Sequence, residues 1–274
     1  MKDLFSIPRE IFKNKRLILT LAKNDFKTQF AGSYLGRIWA FIQPIVTVLV
    51  YWFVFEKALH AGGISGLKGG IDVPFVLWLV AGLVPWFYFS DAINGGTQSL
   101  VQYSYLVKKV VFNISILPVV KLISAFFIHL FFTAFALVLF ACYGFYPDIY
   151  TIQLIYYMFA MLVMILVITY ATSAVVIFFR DLGNIINICL QVGIWATPIM
   201  WNFSQLDMNP IVKNLFKLNP MFYIVQGYRD CLINKAWFWE RPGTTIYFWC
   251  FVLVFFVIGM TVFKRLRVHF ADVL

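Results

Sequence analysis

Six long apolar stretches are strung along this chain, at about residues 35–55, 74–100, 118–143, 152–179, 185–201 and 245–263, with short polar links between most of them. Each comes close to or exceeds the ~20 residues a helix needs to cross a hydrocarbon layer about 30 Å thick. Only 12% of the residues are charged and 62% are hydrophobic, whereas a soluble domain is about a quarter charged. A water-soluble fold of 274 residues cannot hide that much apolar surface. Lipid is the solvent for most of the chain, and a backbone in lipid must satisfy its own hydrogen bonds, which helices do within one segment. The fold class is an all-α membrane protein with six transmembrane helices and an N-terminal amphipathic interfacial helix. Little chain is left for a soluble domain, so chemistry that needs a large aqueous fold belongs to a partner.

The formal net charge is +10. In a membrane protein the cations gather on the cytoplasmic side and on anionic lipid. No DNA- or RNA-binding motif accompanies them, so no nucleic acid is expected. The N-terminal segment, the link near Lys108, the turn at Arg180 and the C-terminal tail carry about twice as many Lys and Arg as the opposite side. Both termini are therefore expected to be cytoplasmic.

Residues 1–31 form the interfacial unit and residues 32–274 the six-span domain. Ile7, Ile11, Ile18, Ala22, Phe26 and Phe30 recur at helical spacing, with Lys13, Arg16, Lys23 and Lys27 between them. Such a helix lies in the membrane plane with its apolar side down. No cleavable signal peptide is visible, since the first long apolar run begins near Leu35 and is long enough to span. Cys142, Cys189, Cys231 and Cys250 form no CxxC and have no clustered His, so neither metal nor disulfide framework is expected. Cys231 reads either as an outer-side thiol or as a small apolar residue.

Local signals refine the spans. Pro44 should kink the first. Gly32 and Gly36 either let helices approach or break the chain before that span. Pro85 and the run from Asp91 to Gln98 interrupt the second span. A carboxylate there is costly unless it meets protein or water, so Asp91 faces the bundle interior or lies near the interface. His129 suits packing or an interhelical hydrogen bond better than metal ligation. Residues 202–244 are too apolar for a plain loop and fit short helices dipping into the interface. Intramembrane ionisable residues are few and no internal repeat is visible, which argues for an outside energy source rather than ion coupling. No P-loop, GxSxG or HExxH is present, so no catalytic site of its own is expected.

Four strings then occur in order: Ser33-Tyr34-Leu35-Gly36-Arg37-Ile38-Trp39 with Gln43-Pro44; Leu106-Val107-Lys108-Lys109-Val110-Val111-Phe112 with Ile116-Leu117-Pro118; Phe178-Phe179-Arg180-Asp181-Leu182 with Thr197-Pro198-Ile199; and Leu218-Asn219-Pro220 with Tyr228-Arg229. Together, on six spans, they resemble the ABC-2 type permeases that export polysaccharides, which include the O-antigen and wall teichoic acid permeases. The resemblance runs from about Phe26 to Asp272. Tyr51-Trp52-Phe53-Val54-Phe55 and Pro74-Phe75-Val76 look closer to the teichoic acid branch. Asn113 is a departure, because many relatives have Pro there.

The resemblance implies an ABC-2 exporter (type V) architecture in a bacterial cytoplasmic membrane. It implies a homodimer, with two copies of a separate ABC ATPase subunit that binds ATP and Mg, and no cofactor in this chain. It implies a glycan or teichoic acid polymer on undecaprenyl pyrophosphate as substrate. Residues 102–115 would be the coupling segment, with Phe112 as apolar anchor. Lys108 and Lys109 would pair with acidic groups on the ATPase or with lipid phosphates. Arg180 and Asp181 would mark a second cytoplasmic contact, or Asp181 would simply cap the fifth span. Lys27 and Arg37 would hold the pyrophosphate or serve as ordinary positive-inside anchors. Trp39, Gln43, Tyr51, Gln191 and Trp195 would line the polymer path, or pack in the membrane as an aromatic belt does. Residues 202–244, with Tyr223, Tyr228 and Arg229, would form the exit gate, where cations suit an anionic polymer. The competing functions are an ABC-2 permease for a small molecule or lipid, a stand-alone carrier, and a membrane-embedded enzyme. A carrier would show mid-membrane charge pairs or repeats, and an enzyme a His, Asp or Glu constellation; neither is seen.

Overall fold

The computed structural model describes residues 6–29, 34–58, 72–107, 112–201 and 209–273. The chain opens with α1 (Ser6–Lys13) and α2 (Lys15–Thr28). They are split at Asn14, whose side-chain amide donates to the Glu10 carbonyl at 2.8 Å. An asparagine that bonds the backbone locally competes with helix continuation. Ile7, Ile18 and Ala22 of the expected stripe are all buried. Their cover is protein: Leu100, Ile116, Leu117, Val120 and Phe263 form one cluster with them. This part of the segment's apolar side therefore docks on the bundle. The reason is that the bases of the spans offer a complementary apolar surface.

Gly36 adopts φ 52° with open space around it, so it makes the turn into the first span rather than a close helix contact. Gly32 lies outside the described residues. The span is α3 (Trp39–Trp52), which continues through a π-helical turn at Phe53–Ala58 and runs on through Pro44. Next comes α4 (Phe75–Gln102). It is unbroken, although Pro85 and the polar run from Asp91 to Gln98 suggest an interruption. The polar groups find partners instead: Thr97 Oγ1 and Thr172 Oγ1 are 2.8 Å apart, and Ser99 Oγ donates to the Gly96 carbonyl at 2.7 Å. Gly96 also lets α4 lie tight against its neighbour, since a Cβ there would sit 2.5 Å from Thr169 Cγ2.

A short α5 (Ser104–Val107) follows. Asn113 then accepts a bond from the Ser115 amide at 3.2 Å and caps the 3₁₀ turn that enters α6 (Leu117–Cys142). That replaces the turn a proline would have set at this position. Beyond it are α7 (Gln153–Val176), α8 (Leu182–Ala196), α9 (Pro210–Lys217), α10 (Pro220–Arg229), α11 (Pro242–Arg267) and α12 (Phe270–Val273). Among the described residues, five helical segments are long and apolar enough to cross a membrane: Trp39–Ala58, Phe75–Gln102, Ile114–Cys142, Ile149–Val176 and Pro242–Arg267. The chain is a multi-pass membrane protein.

The expected fifth span, residues 185–201, is shorter than its apolar run. α8 has 15 residues and reaches about 22 Å. Pro198 ends it by forcing Thr197 to ψ 129°. The five longer helical segments overlap the other apolar runs in sequence.

α4 is the hub, with α6 and α7 packed along it and α11 on the far side of α7. In α4, 72% of the most apolar window is buried, against 6% for the α3 segment, so α3 lies at the periphery of a single chain. Residues 202–244 divide into two kinds of structure. α9 is exposed, with Ile211 and Leu215 outward. α10 is buried against α4, α7 and α11. Glu10 lies 3.7 Å from Arg267, and Arg267 donates to Ser115 Oγ at 3.2 Å. Thus the N-terminal helices, the end of α11 and the 112–116 turn share one end of the bundle.

Candidate functional site

A cavity of about 880 Å³ opens between α3, α4, α6 and α8. Its walls follow from helical periodicity. Ala40, Gln43, Pro44, Thr47 and Tyr51 form one face of α3, and Asn187, Leu190, Gln191, Ile194 and Trp195 one face of α8. Val84, Phe87, Tyr88, Asp91 and Asn94 come from α4, and Ala125, Ile128 and His129 from α6. The ring of Trp86, also in the wall, fixes the distance to α8, because a Cβ on Gly193 would fall 2.9 Å from it.

The lining combines aromatic rings with carboxamides: Tyr51, Trp86, Phe87, Tyr88 and Trp195 stand beside Gln29, Gln43, Asn94, Asn187 and Gln191. Carboxamides both donate and accept hydrogen bonds, and rings supply flat apolar faces. That pairing suits a ligand with hydroxyls around its edge and C–H faces above and below. Asp91 is the one carboxylate in the described lining, which contains no Lys or Arg. Among the described residues no group of three His, Cys, Asp or Glu side chains is placed to hold a metal ion.

Of the residues named for the polymer path, Gln43, Tyr51, Gln191 and Trp195 come together in this wall. Trp39 starts α3 one turn earlier, is 43% exposed and lies outside the lining. Lys27 is exposed on α2, two residues before Gln29. The side chain of Arg37 lies outside the described residues. Asn94, Asn187, Trp86 and Asp91 were not assigned to the path from sequence. Asn187 stands one helical turn before Gln191, and Asn94 one turn after Asp91, so spacing was the available signal.

The residues named for the exit gate are interior. Tyr228 Oη and His129 Nε2 are 2.8 Å apart, and His129 stacks on Tyr88 with 4.8 Å between centroids. Tyr223 Oη lies 2.9 Å from Tyr156 Oη and 3.2 Å from Thr245 Oγ1. The Arg229 guanidinium is only 1% exposed; it donates to the carbonyls of Pro198 at 2.5 Å and Ile199 at 2.8 Å and lies 3.7 Å over the Trp78 ring. It thereby satisfies two carbonyls of the turn that follows α8. Lys235 pairs with Asp148 at 2.9 Å and Arg241 with Asp230 at 3.1 Å. Cys231 is buried, consistent with a small apolar packing role.

At the opposite end, Phe112 is half-buried against the cluster that includes Ile7 and Val120. Lys108 and Lys109 lie outside the described residues. Arg180 and Asp181 are both exposed; Asp181 occupies the N-cap position of α8 but its side chain makes no capping bond. A polar junction here was not foreseen. Asp25, 7% exposed, meets Lys121 at 2.6 Å and accepts the Tyr103 hydroxyl at 2.5 Å. Burial, reinforced by the bond and charge of Asp25, pushes the Tyr103 phenol above its usual pKa and keeps it a donor.

Comparison with known proteins supplies the family. The family model described as ABC-2 type transporter matches residues 16–233. An O-antigen export system permease protein RfbA of Myxococcus xanthus is 26% identical over 227 residues, covering 82% of this chain and 84% of the relative. Two proteins of the same name from Klebsiella pneumoniae are 24% and 22% identical over 264 residues, each covering 94% of this chain and 95% of the relative.

Proposed function

Because the chain belongs to the ABC-2 type transporter family, we propose that it is the permease half of an ATP-driven exporter that moves a lipid-linked glycopolymer across the cytoplasmic membrane. The single observation that carries this function is the cavity, where aromatic rings and carboxamides from four helices form one continuous wall. The names of the relatives, all O-antigen export permeases, support a polysaccharide as cargo. The polymer is proposed to ride on undecaprenyl pyrophosphate, with Lys27 and Arg37 as the residues proposed to hold its phosphates.

The chain hydrolyses nothing in this scheme. Two copies of a separate ATPase bind ATP and Mg and act on two copies of this chain. Residues 102–115, including Lys108, Lys109 and Phe112, and the turn at Arg180 and Asp181 receive the push. A conformational change follows only because the nucleotide-bound partner favours one of two arrangements. Shared placement of the N-terminal helices, the end of α11 and the 112–116 turn supports a common cytoplasmic end. The lack of Lys or Arg in the described lining favours a sugar chain over an anionic small molecule.

The test is reconstitution of the chain with its ATPase in vesicles. ATP hydrolysis should rise when undecaprenyl-pyrophosphate-linked glycan is supplied, and Trp195→Ala should blunt that rise. Hydrolysis that ignores the glycan, or a chain that never co-purifies with a nucleotide-binding protein, would refute the proposal.

A further inference from the structure

We infer that Asp91 makes the cavity a charge filter, admitting uncharged or amine-bearing glycan segments and turning away polyanionic chains such as phosphodiester-linked polyols. The inference rests on the export function proposed above. Asp91 projects from the α4 face that builds the wall, beside Ser90 and Asn94. Among the described residues it makes no hydrogen bond or ion pair, so its carboxylate is available to whatever enters. The Lys121 ammonium is held by Asp25 at 2.6 Å. With that pair closed on itself, the Asp91 carboxylate stands in the wall without an ion-pair partner among the described residues. No Lys or Arg among the described lining residues offsets it. At the other end Lys235, Arg241 and Arg229 are engaged by Asp148, Asp230 and backbone carbonyls.

The chemistry of the wall then sorts polymers. Hydroxyls bond the carboxamides and can donate to Asp91. A protonated amine pairs with Asp91 directly. A phosphodiester has no proton to donate and meets a like charge in a partly desolvated space, where repulsion is stronger than in bulk water. Discrimination of about tenfold against the phosphodiester is the scale expected for one unpaired charge.

The experiment uses the full chain in detergent micelles and follows tryptophan fluorescence, since Trp86 and Trp195 line the cavity. Three probes of matched length are titrated: dextran oligosaccharides, chitosan oligosaccharides at a pH that protonates their amines, and glycerol-phosphate oligomers. Wild type should bind the amine probe best and the phosphodiester about tenfold more weakly than dextran. Asp91→Asn should erase both differences between the probes. Asp91→Glu should keep the wild-type order. Asn94→Asp should deepen the exclusion, and this arm decides if Asp91→Asn does not remain folded. Unchanged probe ratios in Asp91→Asn, no deeper exclusion in Asn94→Asp, or equal binding of dextran and phosphodiester by wild type would overturn the filter alone. Failure of every variant to bind any probe would overturn the export function, and the filter with it.

Discussion

Replacing Asp25 by alanine should release α2 from the base of α6. The Asp25 carboxylate is 7% exposed and Lys121 16% exposed, with 2.6 Å between them. Removing one member of a buried pair leaves the other charge without compensation, at a cost of about 3–5 kcal/mol. Lys121 is near the protein edge and can turn partly toward water, which argues for the low end, about 3 kcal/mol. The Tyr103 hydroxyl loses its acceptor as well. A penalty of that size raises the undocked population of α2 by roughly a hundredfold, since each 1.4 kcal/mol is about a factor of ten. Limited proteolysis in detergent micelles reads this directly, because the basic segment around Lys23 and Lys27 becomes a trypsin target when α2 detaches. The double variant Asp25→Ala, Lys121→Met removes both charges and should recover much of the loss. If the single variant is cleaved no faster than wild type, or the double is no better than the single, the pair does not hold the helix and the reasoning fails.

Other perturbations follow from the same geometry. Arg229→Ala should lower the unfolding temperature and cost about 3 kcal/mol or more by orphaning the carbonyls of Pro198 and Ile199, and Arg229→Lys should rescue little because one ammonium cannot reproduce a planar two-point donor; full rescue by lysine would refute this, by thermal unfolding. Gly96→Ala should destabilise by about 1–3 kcal/mol through the Thr169 methyl, and Thr169→Ser in the same chain should relieve it; an unchanged melting profile in the single variant would show that the helices part freely. Phe112→Asp should abolish co-purification of the ATPase while the chain stays monodisperse on size exclusion, and intact co-purification would remove Phe112 from the docking surface.

The parts of the molecule governed by short-range periodicity were legible in the sequence. α3 and α8 display Gln43 with Tyr51, and Gln191 with Trp195, on the faces their spacing implies. The stripe of Ile7, Ile18 and Ala22 was legible as a buried face, but not what buries it. A pattern reports apolarity and cannot tell lipid from protein. Asp25 was invisible because its partner lies 96 residues away, and a lone Asp among lysines reads as a solvated charge. Arg229 read as an available cation for the same reason: its acceptors are main-chain carbonyls, which leave no mark in the sequence. The end of α8 was recoverable, since the residue before Pro198 is biased away from helix, but the apolar run beyond it masked the stop.

That early stop makes the lipid a working part. A crossing by α8 would set a rod of about 22 Å where hydrocarbon is about 30 Å deep, beside longer neighbours such as α4 and α7. The leaflet next to α8 must dimple, or the shortfall must be filled by the turn that Arg229 braces. In the first case the insulating layer thins along the same helix that walls the cavity. On the export function proposed above, a hydrated chain threaded there would meet a lower dielectric barrier than at full thickness, and acyl-chain length, through the elastic cost of mismatch, would be a physical control on its passage.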